Sequence, residues 1–353
     1  MTFEDARAQF PVFERLAYLQ AGSSGPLALA TAEAMRAEEE RDLREGRSGG
    51  AYFERLLELR AELRVRLAGL VSVDADLIAL TASTTDGCNV VLAGLDLGPE
   101  DEVVTTTDEH FGLLGPLHTS GARIVVVPPD PDAIVAAVSP RTRLLALSQV
   151  LWTTGRILPV HELRERTGIP ILVDGAQSVG AIPVDGRGLD FLTISGQKWL
   201  CGPESTGALV VSDPERLRVA RPSYFAQRRY DPDGTFEPWP GARRFDPNWV
   251  PLSFMSGLLA ALDVVPEWAF ERAAATAERC RALLAGAGQD VVVPAEHATL
   301  VSWRPGGEET ATVVSRLADA GVIVRDLPGT GLVRASVGWW TSDDDLERLV
   351  AAL

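Results

Sequence analysis

Lysine occurs once in these 353 residues, at Lys198; the other 32 of the 33 Lys+Arg residues are arginine. Arginine stays charged and cannot act as a nucleophile, whereas a lysine amine can be desolvated, lose its proton and condense with an aldehyde. Lys198 is therefore the Schiff-base candidate. It lies in ILVDGAQSVGAIPVDGRGLDFLTISGQKWLCGPESTGALVV, where Asp174 closes one predicted strand and Ser195 and Lys198 follow another. Parallel sheets bind ligands at the carboxyl ends of their strands, so a carboxylate, a hydroxyl and an amine converge there. Upstream, Thr84-Thr85-Asp86-Gly87 occupies a strand-to-helix passage whose amides face an anion. After the strand EVVTT, His110 supplies an imidazole. Near the C-terminus Arg325 and Arg334 flank a Pro-Gly turn, and two strands joined there aim both guanidinia at one pocket.

Positioning these groups requires strands alternating with helices. Short apolar, β-branched stretches at 77–80, 102–105, 123–127, 144–147, 169–173, 191–194 and 208–211 predict buried strands. The pattern gives an α/β fold, a mainly parallel sheet with crossover helices. From 51 to about 71, apolar residues recur at helical spacing and predict an amphipathic helix. Between 220 and 251 the chain is polar, aromatic and proline-rich, poor material for regular structure, as in a functional loop or a subunit contact. Helical spacing returns from 253 to about 275 and leads into a smaller α+β unit with strands in VVVP, TLVSWRP, VIVRD and LVRASV, a helix near 310–320 and a last helix at 343–353. The expected division is a large domain at 15–250 and a small domain formed by 1–14 and 251–353.

Composition narrows the function. A net charge of -16 argues against nucleic acid, because phosphate backbones need clustered positive charge. The start MTFEDARAQFPVFERLAYLQ does not read as a secretory signal, and no apolar run approaches the roughly 20 residues that cross a bilayer. Cys88, Cys201 and Cys280 are odd in number and far apart, as expected of reduced thiols in the cytoplasm. Neither they nor the scattered histidines have metal-ligand spacing, so no metal site is expected.

The motifs in Asp174-Gly175-Ala176-Gln177-Ser178 and Ser195-Gly196-Gln197-Lys198-Trp199 resemble the cofactor-lysine region of class V aminotransferases, the family of cysteine desulfurases, C–S lyases and isopenicillin-N-epimerase-like enzymes. The resemblance extends from Tyr18-Leu19-Gln20-Ala21-Gly22 to the last helix. It implies the PLP-dependent transferase fold of type I, with a seven-stranded sheet in the large domain, and pyridoxal 5'-phosphate (PLP) as cofactor. It also implies a homodimer and a small amino-acid substrate, with no role for nucleic acid or membrane. By the same resemblance Lys198 carries the Schiff base, Asp174 pairs with the pyridine nitrogen, and Gln177 bonds the ring oxygen. His110 stacks on the ring and shuttles a proton. Ser195, Gln197 and the Thr84-Thr85 turn belong to the cofactor site. Arg334 grips the substrate carboxylate, with Arg325 and Gln149 beside it. Chemically, a protonated ring nitrogen makes PLP an electron sink, and a buried carboxylate favours that charged form.

The chain departs from the family pattern at Gln197, where relatives have histidine, at Gln149, where they have Asn or His, and at Trp249, where a threonine reaches the neighbouring subunit's phosphate. No cysteine lies between Gly321 and Arg334, the place of the persulfide-forming residue of desulfurases. Arg325 together with Arg334, SQVLWTTGRILP and GARRF resembles the cysteine/cystine C–S lyase branch. The expectation is β-elimination from a cysteine-type substrate. The alternatives are an aminotransferase or epimerase, and a PLP-fold binding protein without catalysis.

Overall fold

Seven short apolar runs become the strands of one sheet. In the computed structural model, which describes residues 1–353, they are β1 (Ile78–Thr81), β2 (Glu102–Thr106), β3 (Arg123–Val127), β4 (Thr142–Ser148), β5 (Ile171–Asp174), β6 (Phe191–Ser195) and β7 (Gly207–Val211). Their order across the sheet is β1-β7-β6-β5-β4-β2-β3, and only β7 runs against the rest. All but the edge strand β3 are almost wholly buried, because helices cover both faces. Alternate side chains divide between two cores. Leu145 and Leu147 of β4 pack with Leu56, Leu59, Leu63 and Leu67 of the helix Gly49–Leu70, while Leu144 and Ala146 pack with Cys88, Val91 and Leu92 of the helix Thr84–Leu95.

A second, antiparallel sheet holds Asp290–Val291, Leu300–Arg304, Leu332–Ser336 and Arg325–Leu327, in that order. The N-terminal chain joins it. Ala17–Tyr18 pairs with Val322–Ile323, Gln20 bridges to Ser336, and Phe10 packs on Trp339 and Trp340 with ring centroids 5.7 and 5.9 Å away.

Two segments differ from the sequence expectation. The helical run at 253–275 is two helices, Leu252–Val264 and Ala269–Gly286, meeting at 76°. Pro266 lies at the break, where its missing N–H and fixed φ stop helix propagation. The first of these helices, placed by sequence in the small domain, packs on Leu29–Glu45 and Gly49–Leu70 and shares the core of the large sheet. The stretch 220–251 contains a hairpin, Gln227–Tyr230 with Phe236–Pro238, closed through Gly234 at φ +91°; both of its faces are largely exposed, so no apolar alternation announced it. No single helix is long and apolar enough to cross a membrane.

Candidate active site

The parallel register brings four strand ends to one edge of the sheet. Ser148 of β4 lies beside Asp174 of β5, and Asp174 beside Thr193 of β6. On the other side Gly207 of β7 is the register partner of both Ser195 and Thr81. A side chain at Gly207 would meet the Ile194 carbonyl at 2.5 Å and Thr81 Oγ1 at 3.1 Å, so only glycine lets β6 approach the turn after β1. In that turn Ser83 caps the helix Thr84–Leu95 by accepting from the Asp86 amide at 3.1 Å. The remaining first-turn amides, at Thr84 and Thr85, are left for an anion. Asp86 would repel one, but Arg221 Nη1 neutralises it at 2.8 Å.

Lys198 is half-buried in the loop after β6. Burial lowers its amine to about 8; the negative charge of Asp174 opposes the shift, and the positive charges of Arg334 and Arg325 add to it. Asp174 is itself buried. Its Oδ1 accepts from the Ala176 amide at 2.9 Å and from Thr193 Oγ1 at 3.4 Å, whereas Oδ2 has no protein partner. Gln177 donates through Nε2 to the Gly22 carbonyl at 2.9 Å and accepts from the Trp199 indole at 3.0 Å, which fixes its amide orientation. Ser195 donates to Gln197 Oε1 at 2.7 Å. The lysine loop is closed by Gly25, whose amide donates to the Gln197 carbonyl at 2.7 Å; a Cβ there would fall 2.1 Å from the Lys198 carbonyl.

His110 caps the helix Phe111–His118, its Nδ1 accepting from the Gly112 amide at 3.0 Å. The ring proton therefore sits on Nε2. Burial, then the charge of Lys198, lowers the imidazole pKa, with Asp174 opposing and both arginines adding. The imidazole is neutral near pH 7. Its turn is braced by Glu109, which accepts from Thr106 Oγ1 and from both the amide and hydroxyl of Ser148; burial pushes that carboxyl up to about 7. Trp152 meets the His110 ring edge-on at 5.1 Å.

Arg325 and Arg334 are register partners on adjacent antiparallel strands, which places two cations directly opposite each other. Arg325 donates to Ser23 Oγ at 3.0 Å. Arg334 has no exposed surface and donates through Nη1 to the Trp152 carbonyl at 2.7 Å. Its Nε and Nη2, the two donors of one side-on fork, have no partner, and neither has the nearby Ser336 hydroxyl. Gly22 makes room for this fork: a Cβ there would lie 2.7 Å from Nη2 and 2.8 Å from Ser336 Oγ. A buried fork of this kind can receive a carboxylate through two parallel hydrogen bonds.

The family model described as aminotransferase class-V matches residues 18–349. The chain belongs to the class-V aminotransferases. Isopenicillin N epimerase of Streptomyces clavuligerus is 28% identical to this class-V chain over 99% of its length and 97% of the relative's. A cysteine desulfurase of Klebsiella pneumoniae is 29% identical, covering 100% and 98%. Among solved structures, a variant of C-DES with glycine covalently linked to its PLP cofactor matches at TM-score 0.90 with 26% identity, over 98% of both chains. The cystine C–S lyase C-DES in complex with its reaction product, cysteine persulfide, matches at 0.88 with 27% identity, over 97% and 98%. This class-V protein is a PLP-dependent enzyme of fold type I.

The residues fit that cofactor: a lysine amine, a carboxylate oxygen without a partner, an oriented amide and imidazole, and a glycine-lined anion turn. All of the residues named from sequence except Trp249 stand on elements that meet at this edge. Gln149 follows β4 with its Oε1 buried and unpartnered. Trp249 is about half exposed, meeting Phe225 edge-on at 5.0 Å and Phe53 at a tilt at 5.9 Å. Four site residues carry no sequence expectation of their own: Gly22, Gly25, Glu109 and Trp152. Glu109 adjoins His110 and Trp152 lies in SQVLWTTGRILP, but Ser148 and Arg334, which hold them in place, come from distant strands.

Proposed function

We propose that this enzyme is a C–S lyase, removing the β-sulfur substituent of a cysteine-type amino acid. The observation that carries the reading is Arg334, fully buried, with its fork unpaired and a second guanidinium, Arg325, opposite. The match to a cystine C–S lyase over nearly the whole chain supports it. All three cysteines are buried and free, and none stands between Gly321 and Arg334, which favours elimination over a persulfide relay. They also fit a reducing compartment, and we place the enzyme in the cytoplasm. The exposed aromatics Phe53, Tyr224, Tyr230 and Trp249 support a homodimer that covers this face.

With PLP bound, Lys198 would anchor it, Asp174 would hold the ring-nitrogen proton, and Gln177 and His110 would be the residues on the ring's oxygen and face. Ser195, Gln197 and the Thr84-Thr85 amides would hold its phosphate. When bound, PLP stores the electron pair released at the substrate's α-carbon. Arg334 takes the α-carboxylate through Nε and Nη2, and Gln149 and Arg325 complete the substrate side. Lys198, its amine lowered to about 8, is neutral in part near pH 7 and removes the α-proton. The Cβ–S bond then breaks with its electron pair on sulfur, and Lys198 returns a proton. With one water consumed, cystine yields pyruvate, ammonia and cysteine persulfide.

Incubating the holoenzyme with cystine, cysteine or S-alkylcysteines should release pyruvate and ammonia without any keto-acid partner. Amino transfer that depends on a keto acid, or inversion of the α-carbon without pyruvate, would replace this reading by an aminotransferase or epimerase. The isopenicillin N epimerase relatives make the second comparison worth running. Borohydride should fix the cofactor on Lys198.

A further inference from the structure

The arginine fork is not the only open donor in this site. The indole Nε1 of Trp152 is buried and has no hydrogen-bond partner. Its ring meets the His110 imidazole edge-on at 5.1 Å, and the Arg325 guanidinium lies over the ring with its Cζ 6.0 Å from the centroid. Arg325 is also incompletely matched. It has one bond, to the neutral Ser23 hydroxyl, and no carboxylate within ion-pair distance. Asp108, which reaches the Trp152 segment through Thr153, accepts only from Thr107 and Thr153. The indoles of Trp303 and Trp340 also lack an acceptor, but they lie in packed apolar cores; Trp152 differs in standing beside the site imidazole and a pair of adjacent cations, where an anionic ligand can complete it. In the proposed function the α-carboxylate takes the Arg334 fork. It leaves Trp152 and Arg325 free for a second group.

We infer that Trp152 is a specificity-determining residue whose indole N–H, beside Arg325, binds an anionic oxygen group at the end of the substrate's side chain. This rests on the reading of the pocket as an amino-acid site. The main chain of Trp152 holds Arg334 at 2.7 Å, so one residue relates the recognition of both ends of the substrate.

The test uses the PLP-loaded enzyme and two ligands of equal carbon count, 2-aminoadipate, which ends in a carboxylate, and norleucine, which ends in a methyl group. Dissociation constants are read by calorimetry and by the change in cofactor absorbance. The wild type should prefer 2-aminoadipate. Trp152→Phe, which keeps a ring and loses the donor, should reduce that preference about tenfold, the effect expected for one buried hydrogen bond to a charged group. Trp152→His, which restores a ring N–H, should recover part of it. A preference that survives Trp152→Phe unchanged, or equal weakening of both ligands, would make Trp152 a packing residue and overturn the inference. Equal binding of both ligands by the wild type would overturn it without any variant and leave the amino-acid site intact. If neither ligand gives heat or moves the cofactor band, the amino-acid reading itself fails, and the inference with it.

Discussion

At the level of single residues, the sole lysine is a lowered amine between one carboxylate and two guanidinia. Its titration gives a direct prediction. The neutral amine is the nucleophile, so capture of PLP by the cofactor-free protein should accelerate about tenfold from pH 7 to pH 9, with a midpoint near 8, when followed by stopped-flow absorbance. Asp174 favours the charged amine, so Asp174→Asn should move that midpoint down. Arg334→Ala should lower kcat/KM by at least about 30-fold while the cofactor band persists, because a desolvated charge-assisted fork is lost. Lys198 and Asp174 were legible as candidates because residue type and strand-end position both pointed at chemistry, and Arg334 because it flanks a Pro-Gly turn together with Arg325. Trp152 and Glu109 were not, since what gives each its place is a partner far off in the chain: Arg334 for one, Ser148 for the other.

The elements explain why the pocket has its shape. Gly22 and Gly25 are open positions on the segment after Tyr18, which passes from the small sheet to the lysine loop. Gly22→Ala would drive a methyl against the Arg334 fork; KM should rise about tenfold or more, with kcat less affected and the melting temperature little changed. Beneath β1, Asp246 lies in the buried turn that accepts from the Leu80 amide and pairs with Arg60 at 3.0 Å and with Arg64. Asp246→Ala leaves two guanidinia without a counter-charge and should cost about 3–5 kcal/mol in denaturant unfolding. The strands of the large sheet were readable as buried β-branched runs. The helix Leu29–Glu45 was not: its buried residues are Thr31 and Glu38, so it shows no apolar stripe. Glu38 is held there by Arg55 at 2.7 Å and Ser256 at 3.0 Å, a polar solution that hydrophobic periodicity cannot reveal.

For the whole molecule, the exposed aromatic face predicts self-association. Sedimentation should give a dimer, and Trp249→Glu should shift it toward monomer by placing a charge in the apolar contact. A monomeric wild type would remove that expectation. The two sheets are also joined at the site itself. The segment after β4 donates from the Ile157 amide to the Glu296 carbonyl at 3.0 Å, and its Gly155 carbonyl accepts from the Ala298 amide at 2.8 Å. The Thr153 carbonyl accepts from Ser302 Oγ at 2.6 Å, and the Trp152 carbonyl accepts from Arg334 at 2.7 Å. Prising the lobes apart would break the Arg334 tether to the Trp152 carbonyl together with the bond from Ser302 to Thr153, so the latch between the sheets and the anchor of the buried guanidinium are the same few atoms.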